Sequence, residues 1–315
     1  MRTETATRVL PRAVSLGPAI PRNAWTFSVH SIFRTAVNVS FDDGDLLACI
    51  TGPSGSGQPV SVVLALETDF RELPLSVGMP GRFAQGLLSF GKGRLIVGLD
   101  CSSARWSPAS VMSSICSIGN AFEAAALELG RIQASRGAEI LFHRSTCSPA
   151  PCTPAAAAIY EGLRLLDAAS ALGTATRMDP IAFATALSLL VGTGPGLTPS
   201  GDDLLCGYMA ALSAVSCPAV PVLAAAIEAA SWATSDISAS WLRCAARGLF
   251  HGALAGLSRN LAADELFPAV GALRELCSIG HFSGADMATG FLHGLAVHSG
   301  GRAGYGSEQG RLYAS

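Results

Sequence analysis

Charge is scarce in this 315-residue chain. Asp, Glu, Lys and Arg together make up 14% of it, and Lys92 is its single lysine. The formal net charge is −2, and the arginines are scattered. Binding a phosphate backbone requires a clustered basic face, so nucleic acid is excluded as a partner. Long unbroken apolar runs are missing too. The best candidate, "MAALSAVSCPAVPVLAAAIEAA" at 209–230, is interrupted by Pro218 and Pro221 and carries Glu228. Alanine inflates the hydropathy of such a stretch without giving it lipid preference. The opening "MRTETATRVLPRAVSLGPAIP" holds Glu4 and no continuous apolar core, so it does not read as a secretory signal. A cytoplasmic protein with no membrane span is expected. The cysteines number nine, an odd count without paired C-x-x-C motifs, which excludes a disulfide framework and a zinc site. Cys147 and Cys152, in "CSPAPCTP", are the closest pair and read as loop thiols.

Half of the residues are hydrophobic, many of them alanine. Such a chain hides helices on most sides, in a thick helical layer or at subunit contacts, so an oligomer or a complex subunit is expected. The order of patterns predicts an α+β protein. From Trp25 to about Arg105, short β-branched or alternating runs such as "WTFSVHSIFRTAVNVSF", "VSVVLAL" and "RLIVGLD" are separated by "DDGD", "GPSGSGQP", "GMPG" and "GKG" turns. They predict a small, mainly antiparallel sheet or barrel-like unit. After "WSPAS" the spacing becomes helical and alanine-rich, with helix-start residues as at Asp179-Pro180. The organisation read from the sequence is an N-terminal extension (1–24), a β-rich domain (25–107), an α-helical domain (108–298) and a flexible tail (299–315).

One stretch has more special residues than a connection needs: "GTGPGLTPSGDDLLCG", 192–207. The chain also contains a partner for it. "SGDDLLCGYMAAL" from Ser200 and "SGADMATGFLHGL" from Ser283 align without gaps, pairing Ser200/Ser283, Gly201/Gly284, Asp203/Asp286 and Gly207/Gly290. Each start reads as a capping box, serine at the N-cap and an acid three residues on. Small residues four apart, Gly207/Ala211 and Gly290/Gly294, let a neighbouring backbone come close. Two similarly started helices, packed as a pseudo-symmetric pair, are predicted. Capping alone accounts for Ser283 and Asp286.

The first copy has further equipment. Gly192, Gly194 and Gly196 permit close backbone approach, Pro195 and Pro199 stiffen the path, and Thr198 adds a hydroxyl. A rigid glycine-rich loop feeding a helix N-terminus offers main-chain N–H groups to an anion. Asp202 and Asp203 oppose an anion at the same spot, which leaves three uses for them. They bridge a divalent cation such as Mg²⁺ to a phosphate, accept from the NH₂ of an amide-containing substrate, or complement the helix dipole. The second is favoured, with Mg²⁺ the minor alternative and no cofactor expected. In "TSDISASWLRCAARGLFHGAL" (234–254), Arg243, Arg247 and His251 recur every four residues, which predicts one helical face able to supply charge for a carboxylate or phosphate. His281, just before the second cap, is a candidate proton carrier or cap partner.

Together "GTGPGLTPSGDDLLCG", "TSDISASWLRCAARG" and "GHFSGADMATGFLHGL" resemble the AllH family, in order and spacing over about the last half of the chain. The resemblance implies a subunit of oxamate carbamoyltransferase, which interconverts oxalurate plus phosphate with oxamate plus carbamoyl phosphate in allantoin breakdown and works with two other subunits. On that basis the candidate catalytic residues are Asp202, Asp203 and Thr198. Gly194, Gly196, Ser200, Gly201, Arg243, Arg247, His281, Ser283 and Asp286 are candidates for holding a small amide or carboxylate substrate and phosphate. Asp202 is expected to matter for turnover more than for stability. The serine-threonine-arginine-threonine phosphate loop of ordinary transcarbamylases is absent from the chain. The competing reading is a non-catalytic scaffold or regulatory subunit whose glycine-rich caps pack against partner chains.

Overall fold

The computed structural model describes residues 8–42, 44–105, 114–135, 153–171 and 178–299. Cys147, Cys152 and the "WSPAS" junction lie outside them, as does the tail from Gly300. The α+β reading holds: a β-rich front precedes a helical back.

The front is a closed barrel of strands β1 (Arg8–Leu16), β2 (Trp25–Ile32), β3 (Ala36–Phe41), β4 (Leu47–Thr51), β5 (Ser61–Leu64), β6 (Pro80–Ala84), β7 (Leu87–Phe90) and β8 (Leu95–Arg105). Their order around the barrel is β1-β5-β4-β3-β2-β6-β7-β8. Most neighbours are antiparallel; β4–β5 and the closing pair β1–β8 are parallel. The sequence pattern begins the strands at Trp25, and β1 precedes that point. Pro11 and the charges of Arg8 and Arg12 broke the alternation that would have marked it. Inward positions carry Phe27, Val29, Val37, Val39, Ile50, Val62, Leu64, Leu88, Phe90 and Val97, all almost fully buried. Alternation sends one side of each strand to this interior. Phe27 meets Phe90 edge-on at 5.1 Å between centroids and Trp25 at 5.2 Å, so aromatics fill the barrel's middle.

The back contains α1 (Asn120–Ser135), α2 (Pro154–Ala171), α3 (Pro180–Leu190), α4 (Ser200–Ala214), α5 (Val220–Ala230), α6 (Asp236–Ala246), α7 (Gly252–Ala262), α8 (Leu266–Cys277) and α9 (Ser283–His298). Helix α4 is buried from Gly201 to Leu212, which is where the apolar composition is used. It lies against α9, and the contact is reciprocal. A Cβ on Gly207 would sit 1.9 Å from Met287 O, and one on Gly290 would sit 1.9 Å from Leu204 O. Only glycine admits this approach from both sides. These small-residue contacts are therefore spent within the chain. The pair is fixed farther along by Tyr208, whose hydroxyl donates to Asp167 Oδ1 (2.9 Å) and lies 2.8 Å from His298 Nε2.

One predicted helix is divided. The 234–254 face ends at Ala246, with Arg247 as its C-cap, because Gly248 turns the chain at φ 72°. His251 instead begins α7, its Nδ1 accepting from the Ala253 N–H at 3.1 Å. Burial pushes the His251 pKa down to about 4.

Candidate functional site at the paired helix starts

Helix α3 starts on Asp179, which accepts from the Ile181 N–H at 2.9 Å with Pro180 in the first turn, and ends at Leu190. The chain then passes through Gly192, Gly194 and Gly196, all at positive φ, before entering α4. The bend is held from inside by Asp202, only 1% exposed. Its Oδ1 accepts from the Gly192 N–H (2.9 Å); its Oδ2 accepts from the hydroxyls of Thr234 and Ser238 (2.6 Å each). One carboxyl thus ties the loop to the α5–α6 connection. Ser235 adds a hydroxyl donation to Leu197 O. With its oxygens taken by three donors, Asp202 is occupied as a structural anchor and poorly placed to share a divalent cation with Asp203. Among the described residues no group of three or more His, Cys, Asp or Glu could hold a metal ion.

The capping boxes form differently from the sequence pattern. Helices α4 and α9 begin on Ser200 and Ser283 themselves, with Pro199 and Phe282 at the N-cap and no side-chain cap hydrogen bond. The serines are one residue inside the helix, so each hydroxyl turns to the other helix. Ser283 supports the Asp203 carboxyl, and Ser200 supports that of Asp286. The helix starts also match in their main chain. Gly201 N–H donates to Thr193 O and Gly284 N–H to Ile279 O. Thr198 joins the two loops, its Oγ1 lying 2.8 Å from Ser283 Oγ.

This exchange gathers Asp203, Asp286, Thr198, Ser200 and Ser283 in one place. Thr198, Ser200, Ser283 and Asp286 are half-buried, and Asp203 is only 2% exposed. Asp203 Oδ2 is buried without a hydrogen-bond partner. Burial pushes the Asp203 pKa up to about 8, with the Asp286 and Asp202 charges adding to it and the Ser283 and Thr198 hydroxyls opposing it. Burial likewise raises Asp286 to about 6, against the Ser200 hydroxyl. Both acids are thus raised by burial, Asp203 more than Asp286, so Asp203 is the one that keeps a proton more readily. Two neighbouring carboxyls with separated pKa values can act as a donor and a base. Along the bend, the N–H groups of Gly196, Leu197 and Thr198 have no acceptor among the described residues.

The remaining sequence candidates lie elsewhere or at the rim. Arg247 pairs with both oxygens of Asp45 and with Glu228 Oε1 (3.0 Å). Arg243 donates to Asp45 O at 2.9 Å. Asp45 precedes β4, so both arginines fasten the helical part to the barrel. His281 is exposed and meets Phe282 edge-on at 4.2 Å. An uncharged cavity of about 230 Å³ adjoins the α8–α9 loop; Thr51, Ser56, Gln58, His251, Ser278 and Gly280 are among its walls. Sequence reasoning missed Thr234 and Ser238 as the donors to Asp202. It also missed the exchange between boxes, although the ungapped match between the two helix starts was a signal that they would face each other.

Two family models match this chain. One, described as oxamate carbamoyltransferase subunit AllH, matches residues 190–295. It spans the bend, both helix starts and everything between them. The chain belongs to the AllH family. The second model, the AllH family N-terminal domain, matches residues 12–105 and so takes in most of the barrel. The AllH description designates a subunit of a multi-subunit enzyme. No solved structure matches the chain.

Proposed function

We propose that the protein is the AllH subunit of a cytoplasmic carbamoyltransferase joining oxamate and carbamoyl phosphate to give oxalurate and phosphate, as in allantoin breakdown, and that Asp203 and Asp286 belong to its reaction site. The observation that carries this reading is the unpartnered, deeply buried Oδ2 of Asp203 beside a second carboxyl of lower pKa. A structural cap needs no such arrangement, because leaving a buried polar atom unpaired costs about 1–3 kcal/mol.

In the transfer the oxamate nitrogen attacks the carbamoyl carbon, loses a proton and displaces phosphate. Asp286, the less raised of the two acids, accepts that proton. Asp203, which keeps a proton more readily, donates a hydrogen bond to the carbamoyl oxygen as negative charge builds there. The hydroxyls of Thr198, Ser200 and Ser283 hold the planar amides, and the N–H groups from Gly196 to Thr198 receive the oxamate carboxylate. The chain supplies no cofactor of its own in this reading, and Arg243 and Arg247 have no part in it.

Titration calorimetry of the assembled enzyme with oxamate tests the assignment. Ser283→Ala is expected to weaken oxamate binding at least tenfold without dissociating the complex, whereas Asp286→Asn, which removes the base and a negative charge, should lower kcat at least tenfold and leave oxamate binding no weaker. Unchanged oxamate affinity in Ser283→Ala together with unchanged kcat in Asp286→Asn would remove this site from the reaction.

A further inference from the structure

The cavity of about 230 Å³ is built from both halves of the chain: β4 and the turn after it on one side, His251 and the α8–α9 turn on the other. Among its walls Cys49, Thr51 and His251 are buried, whereas Thr35, Ser54, Ser56 and Ser278 are exposed. It therefore has a closed floor and an open mouth that carries hydroxyls. The floor is held from several directions. Thr51 Oγ1 donates to Thr35 O at 3.1 Å, and the Gly252 N–H donates to Gly57 O at 2.8 Å. His251 stacks on Trp241 at 6.1 Å between ring centroids, and its Nδ1 is taken by the Ala253 N–H. A Cβ on Gly57 would come 2.8 Å from the His251 ring, and one on Gly55 would come 2.2 Å from Thr51 Oγ1. Walls fixed in this way lower the cost of ordering on binding, and cavities where two domains meet are common ligand sites.

The glycine- and serine-rich turn in this wall is not a phosphate cradle. Such a cradle aims successive N–H groups at the anion. Here the Ser54 N–H donates to Glu67 Oε1 at 2.8 Å, the Gly55 N–H to Gly52 O and the Ser56 N–H to Pro53 O. The Glu67 carboxylate at the turn further disfavours an anion. What the walls offer instead are hydroxyls and the Gln58 carboxamide, groups that donate and accept alike. They suit a ligand that does the same without charge. A carboxamide pairs with a second amide through two parallel hydrogen bonds, which a polyol cannot match. Benzene fills an apolar cavity of about 150 Å³, so the space here admits a somewhat larger compact molecule.

We infer that this cavity is a binding site for a small uncharged carboxamide or ureide, held by the hydroxyls of Thr35, Ser54 and Ser56 and the amide of Gln58. Oxamate, oxalurate and carbamoyl phosphate are all anions, so the ligand is none of the proposed reactants and the site is a second one. It borders the first. Gly280 lines the cavity, and a Cβ on it would lie 3.2 Å from Ser283 Oγ.

The test uses the full-length chain. Biuret and malonamide, two compact neutral diamides, should each bind saturably in titration calorimetry and raise the melting temperature. Gln58→Leu should weaken biuret roughly fivefold, the worth of about one hydrogen bond. Ser56→Trp, which plugs the mouth, should weaken it at least tenfold. Thr35→Val, in the exposed β2–β3 turn, keeps the side-chain shape and stands in if either variant fails to fold; it should weaken biuret at least threefold. Asp203→Asn, at the proposed reaction site, should bind biuret within twofold of wild type. No saturable binding of either diamide by the wild-type chain would overturn the inference, and so would wild-type affinity in a folded Ser56→Trp protein. Glycerol or inorganic phosphate binding there as tightly as biuret would overturn the ligand class. A tenfold loss in Asp203→Asn would place biuret at the acids and defeat the second site.

Discussion

Replacing Asp202 with alanine separates anchoring from chemistry. The wild-type carboxyl accepts three hydrogen bonds at 2.6–2.9 Å inside a site that is 1% exposed. Hydrogen bonds to a charged group contribute about 1.5–3 kcal/mol each, and removing their common acceptor leaves the Gly192 N–H and two hydroxyls unpaired. The three losses overlap, since relaxation or an entering water recovers part of them. The expected cost is about 3–5 kcal/mol, near the upper end for one substitution. In a chain of this size each kcal/mol lowers the melting temperature by about 2–4 °C, so a fall of roughly 6–20 °C should appear in calorimetry. Asp202→Asn, which keeps one acceptor oxygen, should lose less. A folded Asp202→Ala protein melting within about 2 °C of wild type would refute the anchoring role. It would also return Asp202 to the reacting groups, where its position in the sequence had placed it.

Gly290→Ala should destabilise by at least about 1–3 kcal/mol in urea unfolding, because its Cβ would meet the Leu204 carbonyl and the helix pair has no room to part; Gly256→Ala, in open space, serves as the control. The pH dependence of stability carries a sign. Asp203 binds a proton in the folded state up to about pH 8 but loses it near pH 4 when unfolded, so it makes stability fall as pH rises between those values. His251 works in the opposite direction between about 4 and 6.5, so urea unfolding should expose the Asp203 slope most cleanly from pH 6.5 to 8, and Asp203→Asn should flatten it. Arg247→Ala should cost only about 1 kcal/mol, less at high salt, and leave oxamate affinity unchanged, because its half-exposed ion pairs fasten the barrel rather than the substrate.

The parts of the fold legible in the sequence were those where one local rule acted alone. Alternation with glycine turns gave the barrel, and the shift to helical spacing gave the back half. The repeat of Ser-Gly-x-Asp and the glycine after it predicted the α4–α9 pair, whose reciprocal glycine contacts follow from that repeat. Strand β1 was hidden because Pro11 and its neighbouring arginines interrupt the pattern. The site was legible as a location and less so as a wiring diagram. Asp202 and Asp203 are adjacent and chemically identical, yet successive helical positions face about 100° apart. That rotation sends one carboxyl to Thr234 and Ser238 and leaves the other beside Ser283. No local rule distinguishes them, since their partners come from distant segments. The predicted face was legible in part: Arg243 and Arg247 meet the same Asp45 and Glu228, but Gly248 ended the helix before His251 could join them.

The most direct test is the pH–rate profile of the reconstituted enzyme with wild-type chain and with Asp203→Asn. With a protonated Asp203 and an ionised Asp286 required together, kcat/KM should rise through about pH 6 and fall through about pH 8. Asp203→Asn in a fully assembled complex should lose on the order of 10²-fold or more and shed the falling limb. A variant within twofold of wild type, with the same profile, would contradict the assignment of this buried acid to carbamoyl transfer.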